Sequence, residues 1–257
     1  MKFNFSIKQA LKNSWSLFIK NPAVFVGLSV VMLALSYVSN RFQGPDANSV
    51  NIPFMIGLLL VSTLWSYVWQ SVALAAIDNK SDSLKYTVLH KHLPSVRQFL
   101  TLVAIMLLGI LAVMVAVFVG IVLLMIIATV QFLTVTPMTI VSIVFAVLGA
   151  VVMMYLGTRL MFISLVVIDR KGGVFQSVSY AWKLTRGAKF WTVFLVLIIA
   201  IVFTVAGLVA FGVGSLITYP LATLLIATLY RALTLHHEEQ AIVLQPQEIT
   251  APDTATE

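Results

Sequence analysis

Residues 98–129 (QFLTLVAIMLLGILAVMVAVFVGIVLLMIIAT) contain no charged side chain, and the turn from Gln131 to Pro137 contains none either. As one helix that run is about 46 Å long, against a bilayer hydrocarbon core of about 30 Å. A helix of that length without a polar face has no place in a small soluble domain, so a bilayer must be its solvent. Composition agrees. Sixty per cent of the 257 residues are hydrophobic and 10% are charged, with mean hydropathy +1.03; soluble domains carry roughly 25% charge.

Five further apolar stretches share this character, and together they predict spans at about 22–39, 53–77, 98–129, 138–168, 190–211 and 216–235. The third and fourth exceed the bilayer and must tilt, bend or project from it. Projection suits the fourth, because Arg159 sits nine residues inside its end. Before the first span, residues 3–20 put Ile7, Ala10, Leu11, Ser14, Trp15 and Phe18 on one helical face. Lys8, Lys12, Ser16 and Lys20 lie opposite. That is the pattern of an interfacial helix, here called an elbow. Residues 173–189 repeat it, with Val174, Phe175, Val178, Ala181 and Trp182 opposite Gln176, Ser179, Lys183 and Arg186. Shifting the first elbow by 167 positions superimposes Gln9 on Gln176, Trp15 on Trp182 and Leu17 on Leu184. Residues 78–97 form a third, degenerate elbow.

The predicted fold class is therefore all-α and polytopic: six transmembrane helices in three hairpins, each preceded by an amphipathic elbow on the cytoplasmic side. Residues 1–235 form the membrane domain. Residues 236–257, acidic and free of aromatics, are expected to be a disordered tail. Orientation follows from charge. Of 16 lysines and arginines, 15 fall on the side of the termini and elbows, and only Arg41 falls on the other. By the positive-inside rule both termini are cytoplasmic. The first apolar run starts behind four spread lysines, and Tyr37-Val38-Ser39-Asn40 is a poor cleavage site, so it reads as a span and not as a leader.

The net charge of +7 conceals five acids in the last 22 residues. The rest of the chain, with 16 basic and 4 acidic side chains, is strongly cationic. Flanking apolar spans, those cations suit anionic lipid headgroups and not nucleic acid. The absence of cysteine excludes disulfides and thiolate chemistry.

Candidate site residues are few. Arg159, inside a span, reads either as a ligand for a headgroup or anionic substrate, or as a structural residue bonded to carbonyls and Asp169. Gln70, Arg159 and Arg231 give each hairpin's second helix one polar side chain. They form either a polar layer lining a cavity or separate interhelical hydrogen bonds. Lys8, Lys12, Lys183, Arg186 and Lys189 are the candidate lipid contacts of the elbows. His90-Lys91-His92 and His236-His237-Glu238-Glu239 lack the spacing of a metal site, so neither metal nor cofactor is expected. The spans hold no acid–base pair, phosphate loop or nucleophile elbow, so no enzyme is expected.

The run Arg159…Asp169, Phe175-Gln176-Ser177-Val178…Ala181-Trp182-Lys183-Leu184-Thr185-Arg186-Gly187…Phe190-Trp191, with Tyr219-Pro220-Leu221 and Leu229-Tyr230-Arg231, resembles a group of six-span bacterial proteins. These are the membrane domain of membrane-anchored glycerophosphoryl diester phosphodiesterases and the uncharacterised YciC-like integral membrane proteins. The resemblance covers about 155–233, with Ala10-Leu11…Trp15 similar. It implies a stand-alone six-helix inner-membrane domain, and no phosphodiesterase barrel fits beside the spans. The leading expectation is a non-catalytic protein that contacts anionic lipids, in membrane organisation or beside a partner protein. The alternative is a permease-like protein for a small or lipid-like anion, with a cytoplasm-facing cavity.

Overall fold

Ser6 opens the first helix, α1 (Ile7–Lys20), by accepting the Gln9 N–H on its Oγ at 3.4 Å. Asn21 ends it, and Pro22 starts α2 (Pro22–Phe42), where a missing N–H costs nothing. The structure is a computed structural model describing residues 5–42, 52–79, 94–132, 138–170, 172–186, 189–209 and 214–244. Next comes α3 (Ile52–Asp78). A reciprocal cap begins α4 (Val96–Phe132): Ser95 Oγ accepts the Gln98 N–H at 3.3 Å, and Gln98 Oε1 accepts the Ser95 N–H at 3.1 Å. The remaining helices are α5 (Met138–Leu160), α6 (Ile163–Arg170), α7 (Val174–Leu184), α8 (Lys189–Val209) and α9 (Ser215–Leu244). No strand occurs among the described residues.

Among the described residues, five stretches are long and apolar enough to cross a membrane: Pro22–Ser39, Pro53–Asp78, Val147–Arg170, Lys189–Gly207 and Ser215–Glu239. Within α4 the apolar stretch Val96–Leu111 is shorter, although the helix itself runs for 37 residues.

Three sequence boundaries need correction. The run 138–168 is not one helix, because Met161 and Phe162 form a turn between α5 and α6. Thr158 Oγ1 donates to the Met154 carbonyl at 2.7 Å, a back-bond that bends helices, and Phe162 ends fully buried against the Tyr230 ring. Within the elbow 173–189, α7 ends at Leu184, where the Thr185 N–H bonds the Ala181 carbonyl. The tail does not begin at 236: α9 continues to Leu244, and Glu238 pairs with Arg170. Residues 245–257 and most of the 78–97 connector lie outside the described residues.

Packing is organised on α9, against which α8, α1, α3, α2 and α7 all rest. Its Leu224, Leu225, Leu229, Tyr230 and Leu233 are fully buried, as befits a helix apolar on every side. Pro220 lies inside it and removes the bond the Leu216 carbonyl would otherwise accept. The Ser29 hydroxyl of α2 lies 3.4 Å from that carbonyl and 3.0 Å from the Phe25 carbonyl of its own helix. Gly207 lets α8 approach: a Cβ there would fall 2.1 Å from Thr218 Oγ1 and 2.9 Å from Ser215 Cα. Trp65 and Tyr67 pack helices together, donating to the Leu28 carbonyl and to Gln98 Oε1, each at 3.3 Å.

The buried core gathers at the elbow end of the bundle. It takes in Leu17, Phe18 and Phe25, then Trp69 to Ile77, Phe162 to Val166, Leu184, and Leu224 to Leu233. Away from that end apolar side chains turn outward, among them Leu107, Leu111, Met114, Phe118 and Met125 on α4 and Val144, Val147, Leu148 and Val151 on α5. The internal repeat recurs as burial. Ala10 and Ser177, Ser14 and Ala181, and Leu17 and Leu184 are buried at equivalent positions, while Trp15 and Trp182 are both exposed.

Candidate functional site

Arg159 occupies the last turn of α5 and is only 9% exposed. Its Nη1 donates to the Thr185 carbonyl at 2.6 Å and approaches Thr185 Oγ1 at 3.4 Å. Three rings enclose the guanidinium, with centroids 5.1 Å away for Tyr155 and Trp182 and 5.3 Å for Phe190. Tyr155 stands one turn earlier on α5, Trp182 belongs to α7 and Phe190 to the first turn of α8. Among the described residues the cation is thus held without a carboxylate, by π faces and by the carbonyl end of α7, where the helix dipole favours positive charge. Its Nε is buried with no partner among the described residues. The alternative that Arg159 pairs with Asp169 is replaced by this cage.

Asp169 turns instead to α9. Its Oδ1 accepts from Arg231 Nη1 at 2.8 Å and its Oδ2 from the Tyr230 hydroxyl at 2.9 Å. Arg231 Nη2 donates in turn to Asp78 Oδ2 at 2.5 Å. One arginine in the middle of α9 therefore ties together the ends of α3 and α6. Beyond it, Arg170 pairs with Glu238 and lies 4.3 Å from the centroid of the Tyr180 ring, which also stacks near His237. Burial pushes the Tyr180 phenol above its ordinary range, with the Arg170 guanidinium pulling the other way, so the ring stays neutral.

Arg231 also lines a cavity of about 360 Å³ between α1 and α9, with Asn13, Ser16, Lys20 and Thr228, and with Leu17, Ile77 and Leu235. Gln70 faces elsewhere. It stands between two cavities of about 340 and 410 Å³, and Ser164 is shared with it by both. Its Nε2 donates to Ser66 Oγ at 3.3 Å, and its Oε1 is buried without a partner among the described residues. Arg159 lines neither these cavities nor the one at Arg231. The three polar residues read from the hairpins thus sit in separate surroundings.

Of the candidate lipid contacts, Lys8 and Lys12 are exposed on α1 and Lys183 and Arg186 at the end of α7, while Lys189 is half-buried at the start of α8. Exposed apolar side chains stand beside them: Trp15 and Ile19 on α1, Phe175 and Trp182 on α7, and Trp191 on α8. The opposite faces of α1 and α7 bury Ala10, Ser14, Leu17 and Phe18, and Ser177, Ala181 and Leu184. No cluster of three metal-ligating side chains occurs among the described residues; His90 and His92 lie outside them.

Sequence reasoning missed the Asp78–Arg231–Asp169 clamp, although all three residues end apolar runs on the same side. It also missed the ring cage, for which Tyr155 four residues before Arg159 was the local signal. A family model described as Domain of unknown function (DUF7847) matches residues 5–253. The chain belongs to this family. Every helix named here, with the Arg159 cage and the Arg231 clamp, falls within the DUF7847 match. No curated protein and no solved structure matches the chain.

Proposed function

We propose that this protein is a non-catalytic, six-span component of the cytoplasmic membrane that holds anionic lipid headgroups against two amphipathic basic shelves, α1 and α7, with both termini in the cytoplasm. One observation carries the reading. Each shelf has three faces: one buried in the bundle, one presenting aromatic or aliphatic side chains outward, and one presenting cations. A helix lying at the headgroup boundary needs all three. In this reading α4 supplies the sixth crossing, and the outward apolar side chains of α4 and α5 face acyl chains. The cavity beside Lys20 and Arg231 adds hydroxyls and an apolar floor, a combination suited to a phosphate-bearing headgroup with its first acyl carbons. A partner protein docking in the membrane is compatible with the same shelves. The permease reading loses its shared cavity, because Gln70, Arg159 and Arg231 stand apart.

The test is lipid retention. Each surface cation near anionic lipid is worth about 1 kcal/mol at low screening. Replacing Lys183, Arg186 and Lys189 together by glutamine should therefore lower phosphatidylglycerol retention in native mass spectrometry by at least about tenfold. Unchanged retention would mean that the α7 shelf does not contact lipid.

A further inference from the structure

The cavity of about 360 Å³ between α1 and α9 is bounded by two matching stripes. The α1 stripe is Asn13, Ser16, Leu17 and Lys20, and the α9 stripe is Thr228, Arg231, Ala232 and Leu235. Each follows the spacing i, i+3, i+4, i+7, so each shares one helical face about 10 Å long. Asn13, Ser16 and Lys20 are exposed, so their donors are accessible, while Thr228, Arg231 and Ala232 are half-buried. Leu17 and Ile77, both buried, form the floor.

The internal repeat shows why there is room here. Elbow α7 rests on α6 as α1 rests on α9. The shift of 167 positions that superimposes the elbows carries Asn13 onto Tyr180. A shift of 62 relates the helices beneath them. Buried Leu224, Leu225, Ala227 and Leu229 fall on buried Phe162, Ile163, Leu165 and Val167, and Ala232 falls on Arg170. At the α6–α7 junction these two positions hold a guanidinium packed 4.3 Å from a ring centroid. At the α1–α9 junction they hold an amide and a methyl, and a groove lies between the helices.

The wall of this groove holds two cations and no carboxylate. Lys20 brings an ammonium, Ser16 a hydroxyl and Asn13 an amide. Thr228 Oγ1 already donates to the Leu224 carbonyl at 2.7 Å. Arg231 donates from Nη1 to Asp169 and from Nη2 to Asp78, which offsets its charge. Its Nε–H is buried, so one hydrogen on each Nη remains. Lys20 is therefore the deciding cation, with Ser16 and Asn13 beside it on one face. An ammonium ligand would meet a like charge there. A carboxylate or phosphodiester presents two charged oxygens, whereas a phosphate monoester presents three and carries about −1.5 to −2 near neutrality. The third oxygen lets one group meet the α1 donors and Arg231 together.

We propose that the groove between α1 and α9 binds a phosphate monoester, held by Lys20, Ser16 and Asn13 with Arg231 opposite. This deepens the headgroup reading and rests on it for α1 alone. Leu235, 60% exposed on the α9 side, gives the carbons of the ester an apolar contact. Two sources carry the group: a lipid, phosphatidic acid, and a soluble ester, glycerol 3-phosphate.

The test titrates the full delipidated chain with phosphatidic acid and, separately, with phosphatidylglycerol, read by native mass spectrometry. The first phosphatidic acid should bind about tenfold more tightly, the effect of one further charge-assisted hydrogen bond. Lys20→Gln should remove that preference. So should Asn13→Tyr, which introduces the ring of the equivalent junction. Both positions are exposed, so the melting curves of these variants should match the parent. Lys12→Gln, on α1 but outside the groove, should leave the preference intact. Glycerol 3-phosphate at matched concentration separates the sources. Failure to displace phosphatidic acid assigns the site to lipid, and displacement assigns it to a soluble ester with the same phosphate chemistry. Equal affinity for the two lipids would overturn the proposal, as would a preference surviving intact in either Lys20→Gln or Asn13→Tyr. Substituting Lys183, Arg186 and Lys189 should lower phosphatidylglycerol retention and leave the tight phosphatidic acid binding in place, so the α7 shelf and this groove fail separately. Loss of that tight binding in the triple variant would place it on α7 and overturn the groove.

Discussion

Arg159→Ala lowers the thermal midpoint of the detergent-solubilised protein by roughly 6–12 °C, the shift expected for about 3 kcal/mol in a chain of this size. Two effects oppose each other. Removing a cation from a largely buried position relieves a desolvation cost. Against that stand three ring contacts, each worth about 0.5–2 kcal/mol, and a charge-assisted bond to Thr185 worth about 1.5–3 kcal/mol. Alanine also leaves the space between Tyr155, Trp182 and Phe190 unfilled. The losses outweigh the relief. Arg159→Lys should recover less than half, because an ammonium cannot stack its plane on rings. Arg159→Met should fall between alanine and arginine, filling the volume without serving the carbonyl. A melting curve on the three variants checks the order. Lysine matching arginine would mean that charge alone matters and the cage does not.

Arg231→Ala is the second large effect, and the cost should reach about 3 kcal/mol, since it strands two carboxylates at once. The two are not equivalent. Asp169 is 20% exposed in its side chain and Asp78 is 48% exposed. Water can take over at Asp78, where a half-exposed pair contributes about 0.2–1 kcal/mol. Asp169 also holds the Tyr230 hydroxyl on a ring that is itself fully buried. A double-mutant cycle should therefore give a coupling of about 1–2 kcal/mol between Arg231 and Asp169, and less than half of that between Arg231 and Asp78. Equal couplings would show that Arg231 serves both helices alike and that burial does not grade the clamp.

Much of this architecture was written in the chain as a pattern of charge and its absence. Apolar runs too long for a soluble core located the helices. The helical periodicity read at residues 3–20 and 173–189 recurs as buried positions at Leu17 and Leu184. What failed was partner choice. Arg159 stood out because an arginine in an apolar run must be explained, yet its partners came from α7 and α8 and not from the nearest acid in sequence. The aromatic residues that cage it look like any membrane-interface rings until the chain is folded. The turn at Met161-Phe162 had no proline to announce it, only Gly157-Thr158 and a hydroxyl able to bond backward. The extension of α9 past residue 235 was hidden by acidic composition, because Glu238 gains its partner Arg170 only through packing. Gln70 was singled out by spacing, but its neighbour Trp69, whose indole N–H is buried without a partner among the described residues, looked like ordinary core.

The account depends most on which side of a bilayer the elbows occupy, and the chain's lack of cysteine allows a direct measurement. Single cysteines at Lys12 and Lys183, and one in the stretch around Gly44, can be probed in intact cells with a membrane-impermeant maleimide. The positions on α1 and α7 should be protected until the membrane is opened, while the position near Gly44 labels at once. Labelling of Lys12→Cys or Lys183→Cys in intact cells, or protection near Gly44, would contradict the orientation and remove the basis for the lipid shelves.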